Sequence, residues 1–351
     1  MLMPKNFISQ NTIRNLRSLI QQARKIVITC HISPDGDAMG SSLGLQRVLR
    51  NLSKDARFIT PDTPPKYLMF LPGADHIEVF SRFEEFAKRD LADADLIFCL
   101  DYNDSKRVDL VAPWLLASKA KKVMIDHHLD PSDFPDIVIS HPDISSTSAL
   151  IYLVLEALGL EAAIDKEAAT CIYTGMMTDT GNFSYNSNDP KLYQIIARLI
   201  EKGINKDEIY RTAYFTNSIN RLMLNGFALC ERMEYFSGHR AAMITLTRDE
   251  LNHYHYQKGD TEDLVNKPLT CPDVTYSVFL REEADYIKIS MRSKGDFPVN
   301  LMCSQFFNGG GHLNAAGGEF YGTLEEAVET LKKAMPEFDK YLPAVAGQAQ
   351  K

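Results

Sequence analysis

Apolar positions along the first half of the chain follow two alternating rhythms. Short apolar runs, KIVITC (25–30), rich in β-branched residues, then ARFIT (56–60), DLIFCLD (95–101) and KVMIDHH (122–128), are separated by segments with apolar residues at helical spacing, such as SSLGLQRVLRNL (41–52) and SRFEEFAKRD (81–90). Continuous apolar strands, each followed by a helix, predict an α/β domain: a doubly wound, mainly parallel sheet with helices on both faces. From Ser146 to Cys230 the spacing is mostly helical, in STSALIYLVLEALG, DKEAATCIYTGMMTD and DPKLYQIIARLIEKG, with a turn-like break at 186–190. Then the rhythm changes. AAMITLTR, VTYSVFLRE and YIKISMRS read as strands, FNGGGHLNAAGG as a glycine-rich loop and TLEEAVETLKKAM as a last helix, which predicts a smaller C-terminal α+β domain. The expected division is 1–190 for the first domain, 191–230 for a helical connector, 231–344 for the second domain and 345–351 for a frayed tail.

A length of 351 residues suits two cores, and 45% apolar with 24% charged residues fits a globular protein. No apolar run approaches the roughly 18 residues of a membrane span, and the opening MLMPKNFISQNTIRNLRSLI is amphipathic, without the unbroken core of a signal peptide. A formal charge of −8 argues against a broad grip on long nucleic acid. It leaves room for a small anionic substrate held locally by cations and a few arginines. The six cysteines never form CxxC and mostly sit among apolar residues, so they are expected as reduced, buried thiols in a cytoplasmic protein. Trp114, the only tryptophan, is expected in the core; the histidines of HYHY (253–256), His76 and His141 are expected to pack or to lie in loops.

Acids and imidazoles fall where such a sheet binds ligands, beyond the carboxyl ends of its strands. His31, Asp35 and Asp37 follow the first strand in HISPDGDAMGSS. In an extended segment, positions two apart project to one side, which would aim both carboxylates at one point. Asp101 closes an apolar strand, and Asp126, His127 and His128 close another. Asp179 ends a helical stretch ahead of Gly181. Capping or turn roles suit several of these acids singly, Asp104 above all. Together, His31, Asp35, Asp37, Asp101, His127 and Asp179 offer four carboxylates and two imidazoles. Unpaired carboxylates cannot share one site without mutual repulsion. Two divalent cations relieve it, and mixed oxygen and nitrogen donors suit Mn2+, with Mg2+ or Co2+ as alternatives, better than a thiolate-rich zinc site. A pair of such ions acidifies a water and clamps a phosphoryl group.

At this point the chain resembles the DHH phosphoesterase superfamily. The matching motifs are HISPDGDAMGS (31–41), LDYNDSKR (100–107), IDHH (125–128), TGMMTDTGNF (174–183) and GGGHLNAAGG (309–318), in the family's order and across nearly the whole chain. The resemblance implies that His31 and Asp35 bind one ion, that Asp37, His127 and Asp179 bind the other, and that Asp101 bridges them. His128 would contact the substrate phosphate, and Asp126 would orient the histidines. The C-terminal motif is similar to the DHH-associated domain of RecJ-like exonucleases and nanoRNases, and differs from that of family II pyrophosphatases. It implies that Gly309, Gly310, Gly311, His312 and Arg292 grip the rest of a substrate across a cleft. Tyr102, Asn103 and Asp104 depart from the small residue and Ala-Asn that often follow the second-motif Asp.

The function implied is a manganese-dependent phosphodiesterase or phosphatase with exonuclease-like action. Its substrates would be short single-stranded RNA and linear dinucleotides, cut to mononucleotides, and 3′-phosphoadenosine 5′-phosphate, converted to AMP. Exopolyphosphatase is the alternative within enzymes, and a nucleotide-binding regulator with an idle site is the alternative outside them. No membrane partner is expected, and a homodimer is compatible with the sequence.

Overall fold

The apolar runs at 25–29 and 96–100 become neighbouring central strands in the computed structural model, which describes residues 7–343. The expected frayed tail at 345–351 lies outside the described residues. Contacts divide the chain into two units, Met1–Thr216 and Asn217–Lys351.

In the first unit, β1 (Lys25–Thr29), β2 (Asp55–Thr60), β3 (Glu78–Val79), β4 (Leu96–Leu100), β5 (Lys121–Asp126) and β6 (Ile137–Ser140) form one sheet in the order β3-β2-β1-β4-β5-β6. Every pair is parallel. Strand burial is nearly continuous, as a sheet covered on both faces requires. One face packs on α1 (Gln10–Gln22), α2 (Gly36–Asn51), and the later α5 (Thr147–Leu158) and α6 (Lys166–Asp179). The other packs on α3 (Glu84–Asp93) and α4 (Ala112–Ala117). Strand order reverses between β1 and β4, so the segments leaving those two strands diverge and open a crevice at their carboxyl ends.

Two helices converge on that crevice through a close approach of backbones. A Cβ on Gly36 would lie 2.1 Å from Thr178 Oγ1, and one on Gly40 2.5 Å from the Cys171 carbonyl. One on Gly175 would lie 1.9 Å from Ser148 Oγ. Bare positions at 36 and 40 therefore let α2 run against α6, bringing the start of one beside the end of the other. Asp37 and Asp179 sit at those two ends.

Residues 191–230 are shared between the units. α7 (Pro190–Glu201) and α8 (Lys206–Tyr214) bury Leu192, Ile195, Leu199, Ile209 and Ala213 in the first core. α9 (Ile219–Glu231) buries Leu224 and Ala228 in the second unit. That unit is built on β7 (Met233–Phe236), β8 (Ala241–Leu246), β9 (Tyr276–Glu282), β10 (Ile287–Ser293), β11 (Gly310–His312) and β12 (Ala315–Phe320). The order is β11-β12-β10-β9-β8-β7, antiparallel except for β8 with β9. One face packs on α11 (Val299–Phe306) and α12 (Leu324–Phe338). At the β8–β9 end, the other face packs on α9 and on α10 (Arg248–His253).

Two expectations are corrected. The glycine-rich segment is not a loop but the hairpin β11–β12, pairing Gly310 with Gly317 and His312 with Ala315 around a two-residue turn. Asn314 Nδ2 fastens that turn to Ser293 Oγ at 2.9 Å and to the Gly295 carbonyl at 2.7 Å. Trp114 is 42% exposed rather than in the core, because the six-residue α4 presents it outward, where Lys88 Nζ lies 4.5 Å above its ring. All six cysteines are free. Four are buried, while Cys230 and Cys271 are exposed. No described helix is long and apolar enough to cross a membrane.

Gly40→Ala is expected to cost about 1–3 kcal/mol of stability through overpacking against α6. Gly226→Ala, on α9 where a Cβ meets nothing within 4 Å, is expected to gain up to about 1 kcal/mol in helix propensity. Urea denaturation of both variants checks the pair.

Candidate metal centre

Each donor is placed by the end of a strand or helix. His31 follows β1, and its loop is held from both sides. The Ile32 N–H donates to the Arg107 carbonyl at 2.7 Å, and the Ser33 N–H to Asp62 Oδ1 at 2.7 Å. Asp101 follows β4 with φ +63°, a left-handed conformation that Asp tolerates better than most residues. That turn redirects the chain at the switch point and leaves the carboxylate buried. His127 and His128 follow β5.

Asp101 sits between two donor sets. Its Oδ2 lies 3.5 Å from His31 Nε2, and its Oδ1 lies 3.7 Å from His127 Nε2. Around the first nitrogen stands Asp35, 3.7 Å away. Around the second stand Asp179 at 3.7 Å and Asp37 at 4.0 Å. Donor atoms of His31, Asp35 and Asp101 all lie within 4.8 Å of one another, as do those of Asp37, His127 and Asp179. All six expected ligand residues therefore come together. Asp101, His127 and His128 form a third such group, but His128 Nδ1 is already bonded to Asp126 Oδ1 at 2.7 Å. Its Nε2 remains for another partner.

Electrostatics fit divalent cations. Burial raises the Asp37 carboxyl well above its ordinary range, and repulsion from Asp101 and Asp179 raises it further. Burial also pushes Asp179 up to about 6, against the pull of His127 and with repulsion from Asp101 and Asp35. Burial works against the His31 imidazolium, yet hydrogen bonds to Asp101 and Asp35 prevail and hold it at about 10. A proton thus occupies the position where a cation is wanted. The donors are hard oxygens and imidazole nitrogens. The adjacent Cys30 thiol is pushed far up by burial and offers no thiolate. These residues suit Mn2+ or Mg2+.

Several details differ from the sequence reading. α2 begins at Gly36, so Asp35 is its N-cap, accepting from the Asp37 and Ala38 N–H groups at 3.0 Å each, and Asp37 lies in the first turn. The two carboxylates do not project together from an extended segment; they serve different donor sets. Asp35 is both cap and candidate ligand, because each carboxylate oxygen carries two lone pairs. Asp126 orients His128 alone, with Oδ2 also accepting the His128 N–H at 3.1 Å. His127 Nδ1 is instead held by the Ile144 carbonyl at 3.2 Å. Tyr102 is buried with its hydroxyl 2.6 Å from Thr29 Oγ1, a core role.

The sequence reading overlooked the start of α5. The Thr147 and Ser148 N–H groups donate to Asp37 Oδ2 and Oδ1 at 2.6 and 2.8 Å, and the Thr147 hydroxyl donates to Asp101 Oδ1 at 2.9 Å. The signal was there: the Ser-Ser-Thr-Ser run at 145–148 ahead of an apolar helix marks an N-terminus, where free N–H groups favour an anion.

The other expected residues belong to the second unit. Arg292, Ala315 and His312 are register partners across β10, β12 and β11, so Arg292 and His312 share a face about 10 Å apart. The glycines split by role. A Cβ on Gly309 would lie 2.0 Å from the Gly317 carbonyl, and one on Gly311, at φ +145°, 2.5 Å from the Ala315 carbonyl. One on Gly310 would meet nothing within 4 Å. Hairpin packing demands the outer two, and only Gly310 faces open space.

Residues 25–176 match the model of the DHH family, N-terminal domain, and residues 243–338 that of the DHHA1 domain. The bifunctional oligoribonuclease and PAP phosphatase NrnA of Thermus thermophilus is 30% identical over 316 residues, covering 89% of each chain. The crystal structure of an exopolyphosphatase-related protein from Bacteroides fragilis is 48% identical. It has a TM-score of 0.89 and covers 97% of this chain and 99% of its own. RecJ from Thermus thermophilus in complex with Mn2+ shares the fold at 14% identity, with a TM-score of 0.55, over 97% of this chain and 56% of that one.

Excess Mn2+ is expected to raise the unfolding midpoint, by about 2.7 kcal/mol of stability at a hundredfold excess over Kd. Asp101→Asn should lose most of that gain, and a chelator should reverse it. Ion uptake displaces the His31 proton, so the gain should shrink as pH falls. Thermal unfolding with and without metal at two pH values checks both.

Proposed function

The chain belongs to the DHH family and carries a DHHA1 domain, and from that premise we propose that it is a manganese-dependent phosphoesterase acting on short oligoribonucleotides and on 3′-phosphoadenosine 5′-phosphate. The observation that carries the proposal is Asp101, whose two oxygens face separate nitrogen donors at 3.5 and 3.7 Å. A carboxylate so placed is suited to bridge two ions. When bound, these would supply Lewis acidity to a phosphoryl group and acidify a water. The substrate class is supported by the relative of 30% identity, named for oligoribonuclease and PAP phosphatase activities.

The chain's own residues divide the remaining work. His31, Asp35 and Asp101 would hold one cation, and Asp37, His127 and Asp179, with Asp101, would hold the other. Thr147 and the start of α5 steady the carboxylates. The hydrogen bond to Asp126 raises the His128 imidazole above its ordinary range. That direction favours the protonated ring, whose Nε2 would donate to a phosphoryl oxygen as charge develops there. Arg292, with its planar fork, His312 and the open backbone at Gly310 bind the part of the substrate beyond the scissile phosphate. The free thiols suit a reducing, cytoplasmic setting.

Polyphosphate is the second reading, favoured by the 48% identical relative described as exopolyphosphatase-related. An idle regulator gains no support, since none of the six candidate ligand residues is missing from the cluster. One manganese-dependent assay of a dinucleotide, a long RNA, 3′-phosphoadenosine 5′-phosphate and polyphosphate decides. Faster turnover of the dinucleotide than of long RNA and polyphosphate is expected, and preference for polyphosphate would overturn the proposal.

Asp101→Asn is expected to cost more than the roughly 10–100-fold typical of losing an outer partner of a metal ligand, with the fold retained by circular dichroism. Asp126→Asn removes the negative charge that helps to raise His128. Activity that needs the imidazolium is lost as pH rises through its pKa, so the alkaline limb of the kcat profile should move to lower pH. Arg292→Ala should raise KM more for a dinucleotide than for an aryl phosphate ester; equal changes would count against a substrate-binding role.

A further inference from the structure

In the second unit, β10 presents Lys288, Ser290 and Arg292 on one face, alternating with the buried Ile287, Ile289 and Met291. These three residues line a trough of about 770 Å³ that reaches the hairpin glycines, and they also line an adjoining hollow of about 490 Å³ toward β9. Three register rows cross its floor. His312, Ala315 and Arg292 form one, and Glu319, Lys288 and Arg281 another. Between them lie Gly310, Gly317 and Ser290.

The middle row has no packing reason to be bare. A Cβ at Gly310 meets nothing within 4 Å, and one at Gly317 makes only an ordinary 3.4 Å contact with the Ile289 carbonyl. Strand glycines cost stability, and where packing does not require them they mark close approach by something else. Each flanking row carries a cation, Arg292 in one and Lys288, beside Glu319, in the other. Arg281 is fully engaged, by Tyr256 and Thr261 at 2.7 Å each and by Glu283. Glu319 accepts from the Tyr321 hydroxyl at 2.6 Å and forms no ion pair with Lys288. Lys288 is exposed, and its side chain holds no hydrogen bond or ion pair with any described residue.

We propose that this trough is a nucleoside subsite with a phosphate site at each end, Arg292 at one and Lys288 at the other, so that Lys288 recognises a phosphate one nucleotide beyond the one held by Arg292. The two residues lie four apart on a strand, about 13 Å between Cα atoms, a gap that two long side chains reaching inward close to the span of one nucleoside. A flat floor without side chains accepts a base or sugar, for which polyphosphate has no use. The inference rests on the oligonucleotide reading above and narrows it: chains of three nucleotides engage Lys288, and chains of two do not.

Non-hydrolysable phosphorothioate di- and trinucleotides, bound to the metal-loaded full chain, test it. The trinucleotide should bind about five- to tenfold more tightly, the scale of one exposed charge-assisted contact. Lys288→Gln should remove most of that advantage. For the trinucleotide it should also flatten the slope of log affinity against log salt by about 0.7, one phosphate contact on a single strand. Gly310→Val, filling the floor, should weaken the trinucleotide without lowering the unfolding midpoint. Equal binding of both lengths by the unaltered chain would overturn the subsite. So would a parallel loss for both lengths in Lys288→Gln, or an equal loss for inorganic tripolyphosphate. Failure of the unaltered chain to hydrolyse ordinary di- and trinucleotides would instead sink the proposed activity, a separate readout.

Discussion

Carboxylates crowded into one desolvated crevice are the constraint around which the first unit is organised. Burial opposes the negative charge of Asp37 and of Asp179, and repulsion from Asp101 opposes each of them again. Such a cluster survives in a folded chain only with compensation. Two kinds are present: the N–H groups at the start of α5, which grip both oxygens of Asp37, and the imidazoles of His31 and His127. What remains is a demand for positive charge, met in part by the His31 proton and met better by divalent ions.

That demand explains features that otherwise look like packing accidents. α2 must bring Asp37 to the crevice and α6 must bring Asp179, and bare positions at Gly36, Gly40 and Gly175 allow the two backbones the approach this needs. The left-handed turn at Asp101 directs one carboxylate between the two donor sets. Parallel strands supply the rest, because every β-to-α exit lies at the same edge, and reversed strand order keeps two of those exits apart. The second unit uses the opposite device. Its hairpin makes no acidic cluster; it offers a surface stripped of side chains beside unpaired cations, suited to an anion with a flat body.

Particular residues show how far the chain could be read without coordinates. The six ligand candidates were legible because acids and imidazoles at strand ends have no bland reason to recur three times at one edge. Other points were missed where a local pattern has more than one outcome. The Asp-Gly-Asp segment fits an extended run or a helix start equally well, and only the packing of α2 against α6 decides for the helix. Consecutive glycines read as a loop because they lack side chains to alternate. Pairing of β11 with β12, and of β12 with β10, turns them into strands, which no short window of sequence reveals. Trp114 was expected in the core on hydrophobicity alone, but a helix of six residues lacks a second turn with which to bury it.

Sequence by itself determined the kinds of element, their order and the chemistry each delivers, since periodicity and residue type act within a few positions. Tertiary structure alone decided which candidate donors come together, which histidine Asp126 holds, that Thr147 and Ser148 bond to the clustered carboxylates, and that Gly310, unlike its neighbours, faces open space. Those outcomes depend on distances between residues far apart in the chain. Such distances are set by strand order and helix packing, interactions that no local pattern encodes.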